Sequence, residues 1–223
     1  MATSPEAVRA GLVAVTTAAA SEVAAVAAQA PARPVDAALD ALGLIVPAYY
    51  DAAGSLAVAW YDERREESRP RTLYTPRIIG DPATDWIERE VARFAAEIEA
   101  EAQALIDEAI RLTEKEVARG FRDSIVGNTR RDEDAIGWSR VTRPGACKFC
   151  TMLADKGAVY TEATADFAAH GNCHCATRPE FENGEHGPEA SAMQYLASTK
   201  RRTPEQAAKL RAYLNQHYPD LPG

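Results

Sequence analysis

Cysteine and histidine are scarce in this 223-residue chain, with four of each. Aromatic residues make up only 7%, so the interior has to be largely aliphatic and alanine-rich, a composition that favours helices. Positive charge is in deficit: 25 Lys and Arg stand against 33 Asp and Glu, a net charge of −8. That balance argues against indiscriminate binding to nucleic acid or anionic membrane, while leaving room for a local basic patch. No uninterrupted apolar run approaches the ~20 residues of a membrane span. The sequence has no internal repeat, no H-E-x-x-H zinc-hydrolase helix and no G-x-S-x-G nucleophile elbow.

What is present is ordinary for a soluble globular protein, 46% apolar and 26% charged, in a chain long enough for one large domain or two small ones. The N-terminal stretch faintly resembles a secretory signal, but Glu6 offsets Arg9, and Thr16, Thr17, Ser21 and Glu22 interrupt its apolar middle. Val8, Leu12, Val15, Ala19, Val23 and Val26 recur at helical spacing. The expectation is an amphipathic helix with Ser4 as N-cap and Pro5 in its first turn, ending near Gln29. A second helical region follows from residue 35 to 68, which Pro47 and Gly54 should bend or divide. Three prolines make residues 69–85 an extended connection. Asp85 and Glu88 suggest a capping box, and the stripe Ile87, Val91, Phe94, Ile98 and Leu105 predicts one helix reaching Gly120, on the order of 50 Å long. Beyond residue 136, Gly, Pro, Cys and His rise, and "GAVYT" and "CATRPEF" read as short strands. A helix over 191–199 and another from the Thr203 cap with Gln206 close the chain. The expected fold is mainly α: a helical domain over 1–135 with a long central helix, a small α+β Cys/His module over 136–185, and a helical C-terminal tail over 186–223.

All four cysteines fall within residues 147–175. Cys147 and Cys150 form C-x2-C, and His170, Cys173, His174 and Cys175 follow as H-x2-C-H-C. A four-coordinate Zn2+ site needs two ligands from each half, with the intervening loop closed by the ion. The candidate ligands are Cys147, Cys150, His170, Cys173 and Cys175; His174 is read as a bystander. Two disulfides would use the same cysteines, although nothing else looks extracellular. A redox C-x-x-C would need a strand before it, a helix opening at it and a βαβ setting, which the pattern does not offer. A hydrolytic zinc would need an open position and a carboxylate base; Asp155, Glu162 and Asp166 are nearby, in no recognisable arrangement. The residues alone therefore describe a helical protein with a stapled Cys/His module.

The segments "YYDAAGSLAVAWYDERRE", "IGWSRVTRPGACKFCTMLADKGAVYTE" and "HGNCHC" before "RPEF", spanning about residues 45–182, resemble the MuF-like minor head proteins of tailed actinobacterial phages. That family is often labelled capsid maturation protease. The matching positions are Trp138, Cys147, Cys150, His170, Cys173 and Cys175; His174 stands where the family more often has an acidic residue. The resemblance implies a low-copy minor capsid protein of head morphogenesis. It implies a place inside the phage head after assembly in the host cytoplasm, partnered with the portal and other head proteins and with no membrane. It carries a structural Zn2+ module and possible contact with packaged double-stranded DNA. The alternative it brings is a protease trimming head proteins, for which the sequence shows no catalytic machinery. The tail "TKRRTPEQAAKLR", with five basic residues and one acidic, is the candidate DNA contact, and a solvated helix end is its plainer reading.

Overall fold

A computed structural model describes residues 3–98, 101–142, 145–157, 175–181 and 203–222. Within them the chain forms six helices and a two-stranded sheet, the mainly helical fold with a small α+β part that the sequence predicts. Helix α1 (Pro5–Gln29) starts as expected, with the Ser4 hydroxyl accepting from the Ala7 amide at 3.2 Å. It buries Val8, Leu12, Thr16, Ala19 and Val23. Helix α2 (Pro34–Glu67) runs undivided through Pro47. Gly43, whose carbonyl loses its usual partner at Pro47, lies at the exposed surface, where water can satisfy it. By length and composition α1 and α2 could each cross a membrane. Here they pack on each other and on a third helix, burying Leu12, Leu42, Tyr50 and Trp60.

The expected single long helix is two. Helix α3 (Asp85–Ile98) is followed by Glu101 in an extended conformation, and α4 (Ala102–Thr129) begins there. Between Ile98 and Leu105 the only apolar residues are alanines, alternating with Glu99, Glu101 and Gln103. With no large apolar side chain in that stretch, continuity of the helix gains little from packing. At the start of α3 the Thr84 carbonyl accepts from the Ile87 and Glu88 amides, so Asp85 sits inside the first turn rather than capping it.

Helix α4 also continues past Gly120, where the sequence suggests an end. Glycine there serves close approach. A Cβ on Gly120 would stand 2.7 Å from the Tyr50 carbonyl oxygen of α2, and one on Gly127 would stand 2.6 Å from Ile79. The missing side chains let α2 and the 68–84 connection press onto α4, whose Phe121 and Ile125 enter the core beside Trp60.

The 68–84 connection has no strand partner among the described residues, so its backbone polar groups need another source of hydrogen bonds. Side chains of α4 supply them. Asn128 Oδ1 accepts from the Arg77 amide and the Tyr74 hydroxyl, Ser124 Oγ from the Ile79 amide, and Glu116 Oε1 from the Ala83 amide. This explains why polar residues as buried as Glu116, Ser124 and Asn128 occur on a core helix.

Strand β1 (Ala135–Val141) pairs antiparallel with β2 (Ala176–Phe181), from Ala135 opposite Phe181 to Val141 opposite Ala176. β2 is the predicted "CATRPEF" strand, less its first residue; β1 is a strand that no alternation in "AIGWSRV" announces. The sheet packs on α4, and Trp138, Ala176 and Phe181 join the same hydrophobic core as α1, α2 and α4. The short helix α5 (Lys148–Ala154) follows β1, and α6 (Pro204–His217) docks on α5. The Thr203–Gln206 capping box of α6 is present in both directions. The "GAVYT" strand beyond Gly157 and the 191–199 helix lie outside the described residues.

Candidate metal centre

The antiparallel register explains why distant cysteines meet. Pairing of Val141 with Ala176 puts the exit of β1 beside the entry of β2. Cys175 immediately precedes β2, and the chain leaving β1 turns within a few residues into α5, which carries the C-x2-C pair. Cys147 occupies the N-cap position with an extended backbone, and its sulfur does not cap the helix. Cys150 follows one turn later. Cys150 and Cys175 are 2% and 3% exposed, and with Ala146 and the half-buried Cys147 they form an apolar cluster of their own, separate from the main core.

No disulfide joins these three to one another. Among those residues no three Cys, His, Asp or Glu side chains are grouped closely enough to hold an ion. His170 and Cys173, the other two candidate ligands, lie outside the described residues, as does His174. Sulfur is a donor that thiophilic ions take, and Cys150 and Cys175 are shielded from water, but the three sulfurs are not drawn together into a ligand set among the described residues.

Two arginines that the sequence reading passed over also reach this cluster. Arg140 of β1 directs Nη1 at the Cys150 sulfur, 3.9 Å away, and Arg122 of α4 donates from Nε to the Cys175 carbonyl at 3.2 Å. Their signal in the sequence was faint: charged residues inside otherwise apolar segments. α5 is also held by α6 and by the residues that follow it. The Lys148 amide donates to the Pro222 carbonyl at 2.9 Å, and the Tyr218 hydroxyl donates to Asp155 at 2.9 Å.

Strand β1 ends at Val141, before the C-x2-C, Gly145 lies in a turn, and α5 opens at the motif. That strand pairs antiparallel, however, so the parallel βαβ frame of a thioredoxin-like site is not what surrounds the motif.

A second feature is a cleft of about 1110 Å³ along α4, lined in part by Trp86, Lys115, Glu116, Arg119, Asp123 and Arg130. Much of its charge is internally engaged. Arg119 bonds both Glu116 and Asp123, and Glu116 also accepts from the Trp86 indole at 3.0 Å. Its described lining contains no serine, cysteine or histidine, so it offers no Ser-His or Cys-His pair for covalent hydrolysis.

The described residues thus define a helical body with a cysteine-bearing two-stranded module on its side. A family profile described as VG15 protein matches residues 2–199. The chain belongs to this family, a family of phage gene products. No curated protein and no solved structure matches it.

Proposed function

We propose that this phage protein is a structural minor capsid protein of head morphogenesis, associated with the portal inside the head, whose Cys/His module is closed by a structural zinc ion. The observation that carries this reading is the convergence of Cys147, Cys150 and Cys175 in one buried cluster at the mouth of the β1–β2 pair. These are positions at which the sequence resembles the MuF-like head proteins, and the family to which the chain belongs is one of phage gene products.

In this reading Cys147 and Cys150 hold one side of the ion, and two of His170, Cys173 and Cys175 hold the other. Bound zinc supplies folding free energy that the small cluster of Ala146, Cys150 and Cys175 cannot supply from apolar burial alone. The chain's own residues then do mechanical work. α5 and the start of β2 are pinned together, and through β2 the module is fixed against α4 and the bundle core. A fixed module on a helical body suits a protein that presents a surface to the portal and to neighbouring head proteins. The exposed basic residues Lys209 and Arg211 of α6 are where packaged double-stranded DNA would be met.

Elemental analysis of the purified chain, paired with thermal melts before and after chelation, tests the clasp. The expected result is one zinc per chain and a lowered Tm on chelation; no zinc and an unchanged melt would reject it. Incubation with the major capsid protein separates this role from the maturation-protease alternative. A structural component leaves its partner uncut, whereas a protease yields discrete fragments without any added enzyme.

A further inference from the structure

The cleft along α4 runs against the charge of the chain. The whole sequence carries −8, whereas the described lining of the cleft holds five Lys and Arg against three Asp and Glu. Glu116 is 2% exposed and accepts from the Ala83 amide, the Trp86 indole and Arg119, so its charge is balanced within the wall. Two cations of the lining differ from Arg119 in this respect. Lys115 is exposed, with Nζ over the Trp86 ring, 5.1 Å from its centre. Arg131 is exposed and gives Nη1 to the Gly127 carbonyl, a neutral acceptor, at 2.6 Å. Neither forms an ion pair among the described residues. At about 1.5 Å per residue, α4 puts about 20 Å between Lys115 and Thr129, with Arg131 just beyond.

We propose that this cleft binds an extended acidic peptide segment of a partner protein, with carboxylates of the peptide on Lys115 at one end and on Arg131 at the other. A volume of about 1110 Å³ exceeds the roughly 300–1,000 Å³ usual for small-molecule pockets. An extended chain crosses the distance between the two cations with about six residues, at ~3.3 Å each. The mixed charge of the wall favours peptide over nucleic acid. Asp123, half-buried, lies between the two cations on α4 and accepts from Arg119 at 2.8 Å. A phosphate backbone carries acceptors and charge at every link, and would set them against that carboxylate. A peptide backbone instead brings N–H donors and neutral carbonyls to the middle of the cleft and keeps its acidic side chains for the ends. The Trp86 ring gives an apolar side chain of the peptide a surface to lie on. Nothing in this binding needs an ion at the cysteine cluster.

The test titrates the full chain with synthetic probes and follows the indole N–H signal of Trp86 by nuclear magnetic resonance, assigned with Trp86→Phe. The probes are a peptide of about ten residues, with glutamates at both ends and neutral residues between, its glutamine counterpart, and a short single-stranded and a short duplex DNA. The glutamate peptide should shift the Trp86 signal in a saturable way, and more weakly as salt rises. The glutamine peptide should bind about tenfold more weakly, and the double variant Lys115→Glu/Arg131→Glu should weaken the glutamate peptide by a similar factor. Arg33→Glu, an exposed change outside the cleft, should leave the affinity as it was, separating the cleft from overall charge. No shift at Trp86, equal binding of the two peptides, or equal binding by the double variant overturns the proposal. So does DNA that binds through Lys115 and Arg131 more tightly than the glutamate peptide. If the double variant loses its helical circular dichroism, Lys115→Gln/Arg131→Gln carries the comparison: weaker peptide binding supports the site, and unchanged binding overturns it.

Discussion

Replacing Arg65 with methionine should destabilise the protein by about 3–4 kcal/mol, because Arg65 joins three separate stretches of chain at a buried point. Its Nε donates to Asp132 at 2.7 Å, and its Nη2 donates to the Thr72 carbonyl at 2.7 Å and to Asp134 at 3.0 Å. The side chains of Arg65 and Asp132 are 7% and 0% exposed. Without the guanidinium, Asp132 keeps the Tyr61 hydroxyl and the Asp134 amide as donors but has no buried cation. Breaking a buried pair by removing one partner costs about 3–5 kcal/mol, and those two remaining donors place the estimate toward the lower end. With a urea dependence of about 3 kcal/mol/M, the unfolding midpoint followed by far-UV circular dichroism should fall by about 1 M. The double variant Arg65→Met/Asp132→Leu should regain part of the loss, since it leaves no buried carboxylate behind. A single variant within about 1 kcal/mol of the original, or a double variant as costly as both singles summed, would refute the reasoning.

Gly120→Ala drives a Cβ to 2.7 Å from the Tyr50 carbonyl oxygen and should cost about 2–3 kcal/mol, lowering Tm by roughly 5–10 °C. Gly43→Ala meets nothing within 4 Å on an exposed turn of α2 and should instead stabilise by about 0.5–1 kcal/mol; equal effects at the two positions would contradict the close-approach account. The Asp134 carboxyl is held below the usual range, first by the Thr72 hydroxyl, then by the Thr72 amide. A depressed carboxyl contributes stability above its unfolded pKa and loses it as pH falls through the folded one. Asp134→Asn should therefore reduce the drop in Tm measured between pH 5 and lower pH, and an unchanged acid limb would argue against it. His170→Ala separates clasp from catalysis: a ligand loss should lower Tm and weaken zinc binding, whereas a catalytic histidine would leave both intact.

Local chemistry made much of this fold readable. The Ser4 cap, the Thr203–Gln206 box and the α1 stripe all act within a few residues, and each stands where the spacing puts it. The errors came where distant residues decide. Gly120 looked like a helix end because its role, contact with Tyr50, lies 70 positions away in sequence. Strand β1 escaped notice because Ser139 and Arg140 are buried by their neighbours rather than by their own apolarity. The C-x2-C and the later Cys175 were legible as partners from their chemistry. What brings them together, the register of Val141 with Ala176, could not be read before the strand itself was known. Arg122 and Arg140 were missed for the same reason: a charged residue signals a site only once its surroundings are in place.

A density map of the assembled head tests the central claim most directly. The account predicts the α1–α2–α4 bundle inside the shell at the portal vertex, with the β1–β2 module and its metal density on one flank. Mature heads that lack the chain altogether, or hold it on the outer surface away from the portal, would contradict it.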